Sequence, residues 1–114
     1  MTQPTAIKPD DIRAFLAENP KLRTRDAADG LDISEAQLVA ASVGHGTTRI
    51  AAHPDRFIPA AERLGEVMAL TRVGACVHEK VGEYGAYHPG EHAAMTLTEN
   101  IDLRIFPSHW VHAF

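Results

Sequence analysis

Asn100-Ile101-Asp102-Leu103-Arg104-Ile105-Phe106-Pro107-Ser108-His109-Trp110 decides how the rest of this chain is read. It alternates. Ile101, Leu103 and Ile105 fall on one side, and Asp102, Arg104 and Phe106 on the other. That is the period of a half-buried strand. One face is aliphatic core. The other sets a guanidinium between a carboxylate and a phenyl ring, a combination suited to a flat, anionic, largely apolar ligand. The plain alternative is a surface ion pair between Asp102 and Arg104 with Phe106 under a loop. Pro107 has no N–H to donate, so the ladder stops or bulges there. His109, Trp110, His112 and Phe114 crowd the last six residues.

Working outward, the preceding residues also alternate. Ala93 to Thr98 reads as a strand joined to this one through Glu99-Asn100. Ala75 to Val81 and the run from Glu66 read as two more, separated by Gly74. Gly82, Gly85, Pro89 and Gly90 mark a long turn region. Upstream the period becomes helical. Asp10-Asp11 opens a helix to about Asn19, with Ile12, Phe15 and Leu16 as its apolar stripe and acids at its positive end. Thr24 is placed to cap a short helix over Arg25 to Asp29, with Gly30 as its left-handed stop. Ser34 with Gln37 forms a capping box for a third helix, buried through Leu38 and Val39 and ended by Gly44 and Gly46. Arg49 to Ala52 suggests a short strand. His53-Pro54-Asp55 begins a fourth helix, with Pro59 in about its first turn, Phe57, Ile58, Ala61 and Leu64 inward, and Gly65 closing it. Helices first and then an antiparallel meander is an α+β pattern. Residues 1–9 read as a flexible lead-in and 10–114 as one domain.

Composition narrows function. A net charge of −4 opposes binding to a phosphate backbone. The second and third helices, from Arg25 to Val39, have the outline of a helix-turn-helix. A recognition helix needs Arg, Lys, Asn or Gln outward, and here only Gln37 qualifies, behind Glu35. A structural helical hairpin is the better reading, with a DNA-binding module as its rival. A third reading is a structural dimerisation domain without a ligand. No apolar run is long enough to span a membrane. The single cysteine, Cys76, forms no internal disulfide and points to a reducing, cytoplasmic setting. It reads as a buried structural cysteine, since a strand neighbour of His78 points alongside it, which is poor geometry for a nucleophile pair.

Seven histidines are many for 114 residues, and His88, His92, His109 and His112 fall in the last quarter. Such a cluster suits metal or haem ligation, or a pH-sensitive surface. The spacing fixes no common face, so a dedicated zinc site is not expected. Arg72, Lys80 and Arg104, on neighbouring strands of the meander, would make either a small cationic patch or separate solvated charges.

Several segments together resemble a known family. Gly65-Glu66-Val67-Met68-Ala69-Leu70-Thr71-Arg72, Val77-His78-Glu79-Lys80-Val81-Gly82, His88 with His92, and Ile101 to Phe106 with Trp110 are similar to the first half of bacterial haemin-degrading and haemin-transport factors (HemS/ChuS type, with their ChuX-like relatives). Arg25-Asp26 and Ile33-Ser34-Glu35-Ala36-Gln37-Leu38 fit the N-terminal region of the same family. The resemblance implies a cytoplasmic protein of haem iron utilisation. Haem would be its cofactor, bound between two tandem α+β halves and then passed on or opened oxidatively. It implies that Arg104 reaches haem on the distal side and that Phe106 helps to line the pocket. It assigns no catalytic residue. The family's axial histidine lies in the second half, so the iron ligand stays open among His78, His88, His92 and His109. An apolar ending at Phe114 suggests a truncated domain, covered by a missing C-terminal half or by a homodimer mate.

Overall fold

The computed structural model describes residues 7–114, which form two compact units. Most of the expected lead-in, residues 1–6, lies outside the described residues.

The first unit runs to Ile50, with Phe114 grouped beside it. It holds three helices, α1 (Pro9–Glu18), α2 (Thr24–Leu31) and α3 (Glu35–Ala40). Ile12, Ala27, Ala28, Leu38 and Ala41 are its buried core, with Phe15, Leu16 and Ile33 packed against them. Two adjacent alanines bring helix backbones close, which is how so short an apolar set closes a core. Pro9 occupies the first turn of α1, where its missing N–H costs nothing. Ser34 caps α3 as its sequence suggests: its Oγ accepts from the Gln37 N–H at 3.1 Å.

Four local expectations fail here. Thr24 is the first residue of α2 and not its cap; Arg23 holds the cap position without a side-chain bond. Gly30 lies inside α2, and the left-handed stop is Asp32 at φ 55°. Aspartate tolerates that conformation better than most side chains. α3 ends at Ala40, before Gly44 and Gly46, whose φ of 84° and 99° serve the turns that follow. No strand forms over residues 49–52, because no other strand is there to pair with.

The second unit, residues 51–113, holds α4 (Pro54–Glu62), β1 (Glu66–Val73), β2 (Cys76–Glu83), β3 (Ala94–Leu97), β4 (Asp102–Ile105) and a 3-10 turn (Pro107–His109). The His53 ring nitrogen Nδ1 accepts from the Asp55 N–H at 3.1 Å and caps α4. Pro59 lies past the first turn, inside the helix, not at its start. Ile58 and Ala61 are buried, but Phe57 and Leu64 are exposed; Leu64 lies beyond the helix end and turns outward.

All strands pair antiparallel, but as two hairpins, β1–β2 and β3–β4, not as one four-stranded meander. β3 meets the end of β2 and the segment after it through threonine hydroxyls and a few backbone bonds, Leu97 N–H to the Gly85 carbonyl at 3.2 Å and the His88–Met95 pair at 2.7 and 2.9 Å, without a continuous ladder. Thr98 Oγ1 donates to the Glu83 carbonyl at 2.7 Å, and the fully buried Thr96 donates to Gly85 at 2.8 Å. Ile58, Ala94 and Ile105 form the core, with Tyr84, Tyr87, Leu103 and Trp110 around them. Cys76 is exposed beside the β1–β2 turn, which overturns its reading as a buried structural residue.

Two glycines give opposite expectations. A Cβ on Gly30 would meet only the Phe15 Cζ, at 3.7 Å, an ordinary contact. Gly30→Ala is therefore expected to raise stability by about 0.5–1 kcal/mol, the usual penalty of a mid-helix glycine. A Cβ on Gly82 would lie 2.7 Å from Asn100 Cβ and 3.2 Å from Ile101 Cγ1. Gly82→Ala is expected to cost roughly 1–3 kcal/mol as an overpacked site. Urea unfolding of both variants checks the pair.

Candidate functional site

The period-two pattern of β4 has the consequence its sequence suggests. Ile101 and Ile105 are buried at 2% and 7% exposure, while Asp102, Arg104 and Phe106 face solvent. Arg104 lines a cleft of about 390 Å³ within the second unit. Phe57 and Ile58 of α4, Leu70 and Thr71 of β1, and Tyr84 form part of its wall. β4 and the 3-10 turn supply the rest, including Phe106, His109 and Trp110. That volume lies within the range of small-molecule sites, about 300–1,000 Å³.

Aromatic rings shape the wall. Phe57 meets Tyr84 and Trp110 edge-on, each with centroids 6.4 Å apart. Phe106 lies between two imidazoles, His92 at 5.7 Å and His109 at 6.3 Å. Burial pushes the Tyr84 hydroxyl above its ordinary pKa. Sequence reading missed this wall. Phe57 turns outward where the helical stripe predicts it inward, and no local pattern marks Tyr84. The signal was available only as an aromatic next to the buried Ile58 on α4.

The Asp102–Arg104 ion pair of the plainer reading is present, with Arg104 Nη1 donating to Asp102 Oδ1 at 2.7 Å. The two side chains are 53% and 64% exposed. An ion pair so open to water contributes little and yields readily to a competing anion. The ion pair and a ligand-facing arginine are therefore compatible.

The other candidates separate. Lys80 and His78 line a different cleft of about 290 Å³ with Asn100 and Asp102. Arg72 donates to the Gly74 carbonyl at 3.4 Å, so the three cations do not share a patch. His88 is tied through its backbone to Met95. Among the described residues, no group of three His, Cys, Asp or Glu side chains is arranged to hold a metal ion. In the first unit, α3 exposes Glu35 and Gln37, while the arginines at the start of α2 pair with acids of that helix: Arg23 with Asp26 at 3.0 Å and Arg25 with Asp29 at 3.9 Å. Nothing in that arrangement favours a DNA reader. No helix among the described residues is long and apolar enough to cross a membrane.

An alternating strand that buries aliphatic residues and presents Arg104 and Phe106 to an aromatic cleft matches one family. Residues 32–114 match the haemin-degrading HemS.ChuX domain, and the chain belongs to that family. It is 40% identical over 99 residues to the hemin transport protein HmuS of Yersinia pestis, covering 86% of this chain and 29% of that protein. Its fold is similar to holo-PhuS, a heme-binding protein from Pseudomonas aeruginosa, with a TM-score of 0.82 and 38% identity over 93% of this chain and 32% of the other. It is also similar to ChuS, an E. coli heme oxygenase, with a TM-score of 0.79 and 31% identity over 90% and 31%. The chain thus spans about a third of the length of these relatives.

Tyr87 donates a hydrogen bond to Asp55, joining the loop before β3 to the start of α4. Burial first, then that bond and the Asp55 charge, raise the Tyr87 pKa well above its ordinary 10.0. A raised phenol pKa means that the folded state holds the proton more tightly. The stability it contributes is complete below about pH 10 and is lost as pH rises further. Urea midpoints should fall between about pH 8 and about pH 10.5. Tyr87→Phe should flatten that fall without abolishing it, because Tyr84 is shifted the same way.

Proposed function

We propose that this chain binds haem as part of cytoplasmic haem iron utilisation, with Arg104 and Phe106 as contacts. The observation that carries the reading is the cleft itself: aromatic walls with one half-exposed arginine, in a chain of the haemin-degrading family. The residues fit the ligand. Haem is a flat macrocycle whose edge carries carboxylates. Phe57, Phe106 and Trp110 offer apolar surface to a flat ring, and the Arg104 guanidinium offers a planar donor to a carboxylate. Asp102 holds that guanidinium until a ligand carboxylate displaces it.

Bound haem supplies iron capable of oxygen chemistry. The residues of this chain contribute binding, orientation and exclusion of water by the Phe57–Tyr84–Trp110 wall. The remainder of a complete haem site, on this reading, comes from a second half or from a second copy of the chain. The relatives named above are about three times as long as the segment matched here.

Haemin titration followed by absorbance tests the proposal. A saturable, one-to-one Soret change is expected. Arg104→Ala should weaken it about tenfold, the loss of one charge-assisted hydrogen bond. Asp102→Ala, which frees the guanidinium, should leave affinity equal or tighter. A featureless, non-saturating rise that is the same in all three proteins would overturn the proposal.

A further inference from the structure

We propose that His109 is this chain's own ligand to the iron of haem, an inference that rests on the haem-binding reading above. Sequence leaves four histidines open for this role. The structure distinguishes them by position. His109 lines the Arg104 cleft, whereas His78 lines the other one. His92 contacts the edge of Phe106 without lining the cleft, and His88 is held in a backbone bridge to Met95.

The backbone of His109 is well placed. It ends the 3-10 turn that Pro107 begins, and its N–H donates to the Phe106 carbonyl at 2.9 Å. The next residue, Trp110, packs against the buried Ile58–Ala94–Ile105 cluster and anchors the turn. The imidazole itself is exposed, and among the described residues neither ring nitrogen has a hydrogen-bond partner. The His53 ring, by contrast, is already accepting from Asp55. A free imidazole nitrogen is the commonest protein ligand for haem iron. Arg104 and His109 line the same cleft, and His109 meets the Phe106 ring at 6.3 Å, so one cleft offers a cation for the carboxylate edge and a nitrogen for the metal. The step is ligand exchange: the nitrogen lone pair forms a coordinate bond to iron as a bound water leaves, with no electron transferred.

The test is a haemin titration of the 114-residue chain and its variants, read by the ferric visible and Soret bands and by resonance Raman. The wild type is expected to show a histidine-ligated spectrum. His109→Ala and the size-conserving His109→Gln should both lose it, and added free imidazole should restore it. His78→Ala and His88→Ala should keep it. Arg104→Ala should keep the band positions while needing about tenfold more haemin for the same occupancy, as one lost charge-assisted bond implies. Saturable binding with the same spectrum in the wild type and both His109 variants would overturn the ligand assignment and leave the haem-binding reading standing. Failure of the wild type to saturate would overturn both.

Discussion

The second unit depends on burying alternate residues of β4. Ile101 and Ile105 are almost fully enclosed, and Ala94, opposite Ile105 in the ladder, is small enough to admit it. A slip of one residue would send Arg104 and Phe106 into the core and the isoleucines into water. Hydrophobic burial thus aims the polar face, and no interaction of Arg104 itself is needed for that. Gly82 serves the same constraint, because only a residue without a side chain lets β2 come so near Asn100 and Ile101.

The cleft inherits its character from this arrangement. Its rings are positioned by packing: Trp110 and Tyr84 border the core cluster, and Phe57 is carried by the helix that buries Ile58. Its cation is positioned by the strand and only lightly restrained by Asp102. An exposed carboxylate partner keeps the guanidinium oriented at small cost and competes weakly with an incoming anion. The first unit differs in kind. Its core is closed largely by alanines, and Arg13, Arg23 and Arg25 are engaged within the unit. Arg13 pairs with Asp10 and also donates to the Ala41 carbonyl at 2.6 Å.

Much of this was legible in the residue order. The α+β class, the outward placement of Arg104 and Phe106 and the Ser34 cap each follow from a local period or a single side-chain bond. The departures are tertiary. Nothing local shows that β3 would meet the end of β2 and the segment after it through Thr96 and Thr98 hydroxyls and a few backbone bonds and not through a continuous ladder. Nothing in the neighbourhood of Cys76 reveals that its hairpin stands open to water. Asp32 replaced Gly30 as the helix stop because Gly30 can continue a helix next to Phe15, while Asp32 takes the left-handed turn. The aromatic wall joins residues distant in sequence, so only packing assembles it. The family resemblance added what periodicity lacks, an identity for the flat anionic ligand.

The most direct test of the account is where a haem-like ligand sits. Backbone and indole amide shifts of the isotope-labelled chain, titrated with diamagnetic gallium protoporphyrin IX, would locate it. Trp110 is the only tryptophan and lines the cleft, so its indole resonance is an unambiguous reporter. Saturable shifts centred on Trp110, Arg104, Phe106 and Tyr84 are expected, with the α1–α3 core unperturbed. Shifts confined to the helices of the first unit, or spread along the exposed β1–β2 hairpin with Trp110 unmoved, would contradict it.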